Sequence, residues 1–391
     1  MSQNIKIKLF KVASIFNGKT PSRLEQRING YPVLKIKDVS EDGNFGGVFE
    51  SFVDLELADK FATKKIVSGD ILILNAAHNA DYVGKKIYKT EPCVEGALAT
   101  GEWMIIRADA AVIDFRYLYY WLLSGQTKYN IRHLVKGIHL YPKDVAKLEI
   151  PLPPLEEQRR IAAILDKADD IRRKRKQAIA LTEELLRSTF LDMFGDPVTN
   201  PKGWPYCNLS ELLSIVSGQI NPQADPYVNM QHIGCENIHA NTGQIIGVKT
   251  PKELKLHSGK YLFEPTDVLY SKIRPYLNKV TIPGFTGVCS ADIYPLRVKE
   301  SKLDQRFLVY MLRSNLFLTY AEKHSTRTNI PKINRLALLN FNFPYPPLTL
   351  QKQFSVIYSK VDSLRNRIEY SCQDLDNLFN SLLQKAFRGE L

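Results

Sequence analysis

The sequence predicts an α+β protein built as a tandem repeat, in which two mixed globular domains alternate with two long amphipathic helices. Three observations support this prediction. After a proline-rich opening, residues 155–194 contain neither glycine nor proline. Residues 341–387 align without a gap on residues 148–194 at a shift of 193, and 12 of the 47 aligned pairs are identical. Short strand-like segments precede each of these two stretches.

The first long helix is predicted to begin at Leu155, because the prolines Pro151, Pro153 and Pro154 fix φ and disfavour helix before them. Gly195 is a suitable C-terminal stop, and a helix of this length spans roughly 55–60 Å. Apolar residues recur inside it at spacings of three and four, as in a heptad seam that favours a long helical partner. The seam comprises Ile161, Ile164, Ala168, Ile171, Ala178 and Leu185, interrupted by the polar residues Arg175 and Thr182.

The partner helix is predicted within residues 346–391, where the frame Pro-x-Pro-Pro-Leu-x-x-Gln occurs a second time. Its seam is more apolar than the first and comprises Phe354, Ile357, Val361, Leu364, Ile368, Ser371, Leu375, Leu378 and Leu382. Because a domain separates the two copies, we expect the helices to pack antiparallel about a pseudo-twofold axis. The alternative is two unrelated amphipathic helices that share this spacing by chance.

The first globular domain is predicted to be mixed, with many short strands. Residues 33–37 alternate between apolar and polar, and residues 71–74 form an apolar run that follows a turn. A helix over residues 116–124 carries aromatic side chains on every face. Such a helix is more typical of a core than of a base-stacking surface.

The second globular domain repeats this order of events after a connector rich in Pro, Gly and Asn. Ser217 and Gly218 correspond to Asn17 and Gly18. Residues 266–270 correspond to 69–73, and residues 306–314 to 116–124. The predicted organisation is therefore a domain at 1–150, a helix at 151–195, a domain at 196–345 and a helix at 346–391.

The bulk properties bound the class of protein. A chain of 391 residues suits two or more domains. Lys and Arg number 53 against 41 acidic residues, and this net charge of +12 favours polyanionic partners such as nucleic acid. No apolar run approaches the ~18–20 residues of a membrane span, and the polar start does not resemble a signal peptide. We therefore expect a cytoplasmic protein with no membrane contact. Five widely spaced cysteines predict reduced thiols rather than a zinc site.

Enzyme motifs fail when they are tested residue by residue. A P-loop reading of residues 18–20 fails because Ala13 replaces the required glycine and Pro21 follows at once. Residues 225–227 fall one proline short of the D-P-P-Y loop of amino-methyltransferases. Residues 253–255 and 300–302 have a bare E-x-K pattern, which is too common to indicate a nuclease. We therefore predict no catalytic residue, metal site or cofactor in this chain.

The most specific stretches are PLPPLEEQRRIAAILDKAD at 151–169 and its counterpart PPLTLQKQ at 346–353, with GDILIL at 69–74 and TDVLYSKIRPYLNKV at 266–280. Together they resemble the specificity (S) subunit of Type I DNA restriction-modification systems, over essentially the whole chain. The resemblance implies two target recognition domains that each read half of a bipartite site in double-stranded DNA, held apart by the antiparallel helices. One departure is that Thr349 and Leu350 occupy the positions of Glu156 and Glu157.

The resemblance also implies partner subunits. Two modification (methyltransferase) subunits per chain would bring S-adenosylmethionine, and restriction subunits with endonuclease and translocase activity would bring ATP and Mg. Partner contacts are expected at the two frames, through Leu155, Glu156, Gln158, Leu348 and Gln351. Two other functions remain open, a structural coiled-coil adaptor and a methyltransferase or nuclease with unrecognised motifs.

DNA contacts are expected in the loop that follows a predicted strand in each domain, although an ordinary solvated loop is the alternative. Arg and Asn side chains can read guanine and adenine edges, whereas Lys suits phosphates. The candidates are Lys272, Arg274, Tyr276, Asn278 and Lys279 in the second domain, and Asn75, His78, Asn79 and Lys19 in the first. The basic run at 172–176 is predicted to be solvated, with phosphate or an acidic partner as the alternative.

Overall fold

The computed structural model describes residues 5–299, 302–326 and 329–391. The chain forms two compact units, of which unit 1 comprises Met1–Gln177 with Glu369–Leu391 and unit 2 comprises Ala178–Ile368. Each unit therefore combines one globular part with half of each long helix. Glu300 and Ser301, part of an E-x-K pattern noted above, lie outside the described residues.

The elements up to the first long helix begin with strands and short helices. In chain order they are β1 Lys6–Lys8, β2 Ala13–Asn17, β3 Tyr31–Leu34, β4 Phe52–Val53, α1 Leu55–Lys60, β5 Ile71–Leu74, β6 Ile87–Lys89, β7 Leu98–Ala99, β8 Trp103–Ala108, α2 Phe115–Leu123, α3 Gly125–Leu134, α4 Pro142–Val145, β9 Glu149–Pro151 and α5 Leu155–Phe194. Short 3-10 turns connect several of them. Helix α5 begins at Leu155, as the proline frame predicts.

The remaining elements follow a similar order, with a few additional short elements. They are β10 Tyr206–Asn208, α6 Leu209–Leu212, β11 Leu213–Ile215, β12 His232–Ile233, α7 Pro251–Leu254, β13 Tyr261–Phe263, β14 Val268–Ser271, β15 Val280–Thr281, β16 Gly287–Cys289, β17 Ile293–Val298, α8 Gln305–Arg313, α9 Asn315–Lys323, β18 Ser325–Thr326, β19 Lys332–Ile333, α10 Arg335–Leu339, β20 Asn342–Pro344 and α11 Leu348–Arg388.

The main sheet of unit 1 is antiparallel, with strand order β2-β8-β5-β6. Ile71 and Ile73 of β5 face a core that includes α2, whereas Leu72 and Leu74 face a second core on the opposite side. Because both faces of the sheet are covered, β5 is an uninterrupted apolar run rather than an alternating one. The aromatic side chains of residues 117–121 lie in the first of these cores, as predicted, whereas Phe115 at the start of α2 is exposed.

The main sheet of unit 2 repeats this topology with strand order β11-β17-β14-β15, also antiparallel. Val268 and Tyr270 of β14 face one core and Leu269 faces the other. An arginine–aspartate pair anchors the start of the central strand in both units, Arg107 with Asp70 and Arg297 with Asp267, each at 2.8 Å. The tandem repeat predicted from the sequence is thus present in the strand order and in the ion pairs.

The two long helices run antiparallel within unit 1. Arg160 Nη2 donates to the carbonyl of Leu391 at 2.7 Å, and Arg172 lies 3.6 Å from Asp376, with its guanidinium 4.5 Å from the ring centroid of Phe379. Later residues of α5 therefore contact earlier residues of α11, as in an antiparallel pair. In unit 2, the other halves of the two helices share one core, through Leu186, Phe190, Phe194, Phe354, Tyr358 and Val361.

The predicted seam is wrong at two positions of each helix. Ile171 and Leu185 of α5 and Leu364 and Leu378 of α11 are about half exposed. The buried stripe of α11 instead comprises Phe354, Tyr358, Val361, Arg365, Ile368 and Phe379. The reason is that each helix packs simultaneously on the other helix and on a globular core, as Leu165 does beside α2. The buried face is therefore rotated away from a seam that considers only two helices.

Candidate nucleic-acid interface

In unit 2, the loop that follows β14 is joined to a second segment that precedes α10. The Arg274 N–H donates to the Pro331 carbonyl at 2.7 Å, and the Ile333 N–H donates to the Lys272 carbonyl at 3.0 Å. Ile273 also forms a β-bridge with Lys332. Main-chain hydrogen bonds therefore fix the position of both segments without using their side chains.

Unit 1 has the same arrangement after β5. The Leu140 N–H donates to the Asn75 carbonyl at 2.7 Å, and Ala76 forms a β-bridge with His139. The second segment turns at Gly137, whose φ is 60°, and the Lys136 ammonium lies 2.7 Å from Asp144. That hydrogen bond holds the pKa of the Asp144 carboxyl below its ordinary value. We call these segments the paired loops, residues 75–79 with 136–141 in unit 1 and 272–279 with 329–333 in unit 2.

The second segment of each pair was missed by the sequence analysis. A signal for it was present, since Gly137 and Pro331 each interrupt the chain shortly before a helix and the proline frame. Ile138 and Tyr141 in unit 1 and Ile330 in unit 2 expose much of their apolar surface on these segments. The pairing itself was not predictable, because the partners lie about 60 residues apart in the chain and meet through tertiary contacts alone.

Arg274 is the strongest candidate for a DNA contact. Its side chain is exposed and makes no hydrogen bond or ion pair with any residue that the structure describes. Its φ of 48° is left-handed, a conformation that costs a non-glycine residue about 1–2 kcal/mol. Strain of this kind is concentrated at functional sites. Tyr276, two residues further, is 63% exposed and offers a ring for stacking.

Two predicted DNA-reading residues are corrected by their burial. Asn75 is 3% exposed, and its Nδ2 donates to Asn17 Oδ1 at 2.8 Å and to the Gly101 carbonyl at 3.1 Å. Asn278 is 8% exposed and has a left-handed φ of 53°. Both amides serve the internal structure of their loops, because a side chain enclosed in this way has no surface left for a base edge.

The two candidate lysines of unit 2 are also engaged within the fold. The Lys272 ammonium donates to the Ala291 carbonyl and lies 3.5 Å from Asp292. The Lys279 ammonium donates to the Cys235 carbonyl at 2.6 Å. Each ammonium has one main-chain acceptor and keeps further N–H groups, so the predicted phosphate contacts stay predictions.

The remaining candidates in unit 1 are exposed and stay predictions. His78 and Asn79 lie on the first segment of the paired loops, where Asn79 Oδ1 accepts from the Asp81 N–H at 2.9 Å. Lys19 lies 5.3 Å from the ring centroid of Phe61. None of these contacts withdraws the side chain from the surface.

The sequence predicts that the basic run at 172–176 is solvated. In the structure, four of its five side chains also form ion pairs. Arg172 and Arg173 both pair with Asp169, at 2.6 and 2.7 Å. Lys174 pairs with Asp170 at 2.8 Å, and Lys176 lies 3.2 Å from Asp42. Acidic side chains of the same unit therefore offset much of this charge.

In both units, the glutamine of the repeated proline frame is buried and forms hydrogen bonds to main-chain groups of the same unit. Gln158, 1% exposed, accepts from the Asp114 N–H at 2.9 Å and donates to the Pro153 carbonyl at 2.8 Å. Gln351, 0% exposed, accepts from the Asp304 N–H at 3.0 Å and donates to the Pro346 carbonyl at 2.8 Å. The prediction that these glutamines contact a partner subunit is therefore wrong, because their polar groups are enclosed and satisfied within the chain.

Within the described ranges 5–299, 302–326 and 329–391, no group of three or more His, Cys, Asp or Glu residues is arranged to hold a metal ion. No helix there is long and apolar enough to cross a membrane.

Comparison with known proteins places the chain in a family. The family described as Type I restriction modification DNA specificity domain matches residues 3–181 and 201–372. The specificity subunit of the Type I restriction enzyme EcoDI from Escherichia coli is 30% identical over 313 residues, covering 70% of this chain and 69% of that protein. The MjaVIII specificity subunit from Methanocaldococcus jannaschii is 24% identical over 378 residues, covering 89% and 83%.

The solved structures agree on the fold. The S subunit of a Type I restriction-modification system from M. genitalium superposes with a TM-score of 0.62 at 16% identity, covering 98% of this chain and 96% of that one. Two specificity domains in tandem, each carrying paired loops on a repeated sheet, match the duplication seen in the sequence. The chain belongs to the family of Type I restriction-modification DNA specificity subunits.

Proposed function

We propose that this chain recognises DNA sequence on behalf of a Type I restriction-modification complex, with each unit reading one half of a bipartite site. The observation that carries the proposal is the occurrence of the paired loops in both units. In unit 2 these loops present Arg274, a cation with no partner among the described residues, on a main chain fixed from both sides.

The chemistry suits base reading. A guanidinium can donate two hydrogen bonds to O6 and N7 of guanine in the major groove, and one such contact discriminates by about 1–3 kcal/mol. Main-chain fixation lowers the entropy lost when Arg274 is held in place, since the loop is already ordered before DNA binds. The net charge of +12 supplies the general attraction to the phosphate backbone.

The test compares Arg274→Ala with Arg274→Lys on matched duplexes and single-mismatch duplexes at two salt concentrations. If Arg274 reads a guanine, both variants should lose about 1–3 kcal/mol on the matched site and tolerate other bases at one position. If it contacts phosphate, Arg274→Ala should weaken binding to all sequences equally and reduce the salt slope. Arg187→Ala removes an exposed arginine from helix α5 in the same unit and serves as the charge-matched control. An Arg274→Ala variant indistinguishable from this control would remove Arg274 from the interface.

A domain exchange tests the assignment of one half-site to each unit. Replacing residues 204–345 with the corresponding domain of another specificity subunit should change one half-site and leave the other intact. Methylome sequencing of cells that express the hybrid with its modification partner reports both half-sites together. A change in both half-sites, or in neither, would contradict the assignment.

The long helices are proposed to set the spacer between the half-sites. Two readers held about one DNA turn apart, roughly 34–36 Å, can face the same side of the duplex. Removing one heptad within residues 161–189 should therefore change the tolerated number of spacer bases and leave both half-sites unchanged. An unchanged spacer in the methylome would contradict this role.

Catalysis is proposed to lie in partner subunits, two modification subunits with S-adenosylmethionine and restriction subunits with ATP and Mg. The two proline frames are the proposed docking sites. In the first frame Glu156 is exposed next to the half-buried Leu155, and in the second Thr349 is exposed next to the half-buried Leu348. Native mass spectrometry should then show two modification subunits per chain. A ratio of one to one would contradict symmetric docking, and S-adenosylmethionine binding by this chain alone would contradict a non-catalytic role.

A further inference from the structure

In unit 1, the two segments of the paired loops border a depression of about 510 Å³. Leu74, the last residue of β5, lines it, and Ala76 and Ala77 of the first segment line it as well. Ile138 lines it from the second segment. Tyr82, further along the chain, also lines it and is 56% exposed. Apolar side chains from both segments therefore meet at one concave surface.

Main-chain hydrogen bonds show which residues of the two units correspond at this place. In unit 1 the Ala77 N–H donates to the Ile138 carbonyl at 3.4 Å, and in unit 2 the Arg274 N–H donates to the Pro331 carbonyl at 2.7 Å. The β-bridges described above, one residue earlier in each first segment, agree with this alignment. Ala77 therefore occupies in unit 1 the place that Arg274 occupies in unit 2.

The charged side chains around the depression do not suit a phosphate. Among the described residues that line it, Lys86 is the only lysine or arginine. Lys86 is 6% exposed, and its ammonium donates to the Val39 carbonyl at 2.9 Å and lies 2.9 Å from Glu41. The carboxylates of Glu41 and Glu102 line the depression too. An anion would thus meet two carboxylates and a lysine that is already paired, so a neutral group is favoured.

The apolar surface lies where the edge of a base is expected. In the major groove, a thymine differs from the other bases by its C5-methyl group, and alanine is among the side chains that contact this group. The position that presents a guanidinium in unit 2 presents the methyl group of Ala77 in unit 1, and Ile138 lines the same surface. The two units therefore offer different chemistry at one equivalent position, which predicts half-sites of different composition.

We propose that this depression receives the C5-methyl group of a thymine in the half-site that unit 1 reads. Because it assumes that unit 1 reads DNA, this assignment rests on the proposed function and adds to it the base that one unit selects. Ala77 and Ile138 contact the methyl group from the two segments. Asn79 lines the same depression, and its Oδ1 accepts from the Asp81 N–H at 2.9 Å, so the amide can offer its Nδ2–H groups to the O4 acceptor of the same thymine.

The test measures the affinity of the full chain for duplexes in which deoxyuridine replaces one thymidine at a time. Deoxyuridine pairs as thymidine does and lacks only the C5-methyl group. Methylome sequencing and the domain exchange first assign the half-sites. One replacement in the unit 1 half-site should then weaken binding about fourfold, as expected for the burial of one methyl group. Replacements in the spacer between the half-sites should have no effect and serve as the control within each duplex.

A pair of isoleucine variants connects this loss to the depression. Ile138→Ala removes apolar surface from the second segment and should reduce the fourfold loss to less than about twofold, since the two changes then remove the same contact. Ile138 is 42% exposed, and urea unfolding verifies that the variant is folded. Ile28→Ala is the matched control, because Ile28 is 96% exposed in the same unit and does not line the depression. It should keep the full loss.

A wild-type chain that distinguishes no thymidine of the unit 1 half-site from deoxyuridine would overturn the inference, as would a half-site without an A·T pair. An Ile138→Ala variant that keeps the full loss would also overturn it, because the methyl group would then be recognised elsewhere. Sequence-selective binding that persists in any of these cases would leave the proposed function intact. A chain that binds all duplexes equally would overturn both.

Discussion

Replacing Gln351 with leucine should destabilise unit 2 more than any exposed substitution on the same helix. The side chain is 0% exposed and joins three elements, because it accepts from the Asp304 N–H and donates to the Pro346 carbonyl. Leucine leaves both main-chain groups enclosed without a partner, at about 1–3 kcal/mol each, so the expected cost is about 2–6 kcal/mol. Asp304 also caps α8 by accepting from the Arg306 N–H at 2.9 Å, and a loosened cap adds to the loss.

The assay is urea unfolding followed by circular dichroism and by tryptophan fluorescence, with Trp204 as the reporter in unit 2. Gln353→Leu is the matched control, since Gln353 is exposed on the same helix. Gln351→Glu keeps the shape of the side chain but removes the donor and buries a charge, so it should be as harmful as leucine. A Gln351→Leu variant within about 0.5 kcal/mol of the control would refute the view that this glutamine fastens the helix to the globular part.

Two further predictions concern stability. Leu165→Ala should cost about 2–5 kcal/mol because the side chain is fully buried, whereas Ile171→Ala, half exposed, should cost less than about 1 kcal/mol; equal costs would restore the heptad seam predicted from the sequence. His232 is buried with no partner for either ring nitrogen among the described residues, and burial, followed by the nearby Lys260, lowers its pKa, while Glu236 raises it. The unfolded chain therefore binds a proton that the folded chain does not, so stability should be fully present above about pH 6.5 and fall as the pH drops below it. His232→Phe should flatten this fall in denaturant midpoints between about pH 7.5 and pH 5.5, and an equally steep fall would show that other groups cause it.

The start of each long helix and the central strands were predictable because they depend on neighbours in the chain. Three prolines before Leu155 fix the backbone of a few residues, and the same frame fixes Leu348. The run at residues 71–74 is apolar on both faces, which indicates a strand covered on both sides. The shift of 193 residues identified the repeat because it preserves the frame whose glutamine bonds the long helix to the residue before α2 or α8.

The candidate DNA contacts were only partly predictable. The loops after the central strands were identified, but residue type alone could not separate Arg274 from Asn278, although both carry groups that read bases. Arg274 is exposed and its side chain has no partner among the described residues, whereas Asn278 is enclosed beside Arg313. The second segments of the paired loops were missed, because their contribution consists of main-chain hydrogen bonds that leave no mark on side-chain composition.

The sequence by itself determined the local elements, their order and their duplication, since proline and glycine placement and apolar periodicity act over a few residues. The tertiary structure alone decided which polar groups are available. Gln158 hydrogen-bonds to a main-chain group 44 residues away in the chain, and Asn75 hydrogen-bonds to a side chain 58 residues away. Arg313 and Arg365 meet at one carbonyl although they lie on different helices. Burial and pairing are properties of the neighbourhood in space, and that neighbourhood exists only once the chain has folded.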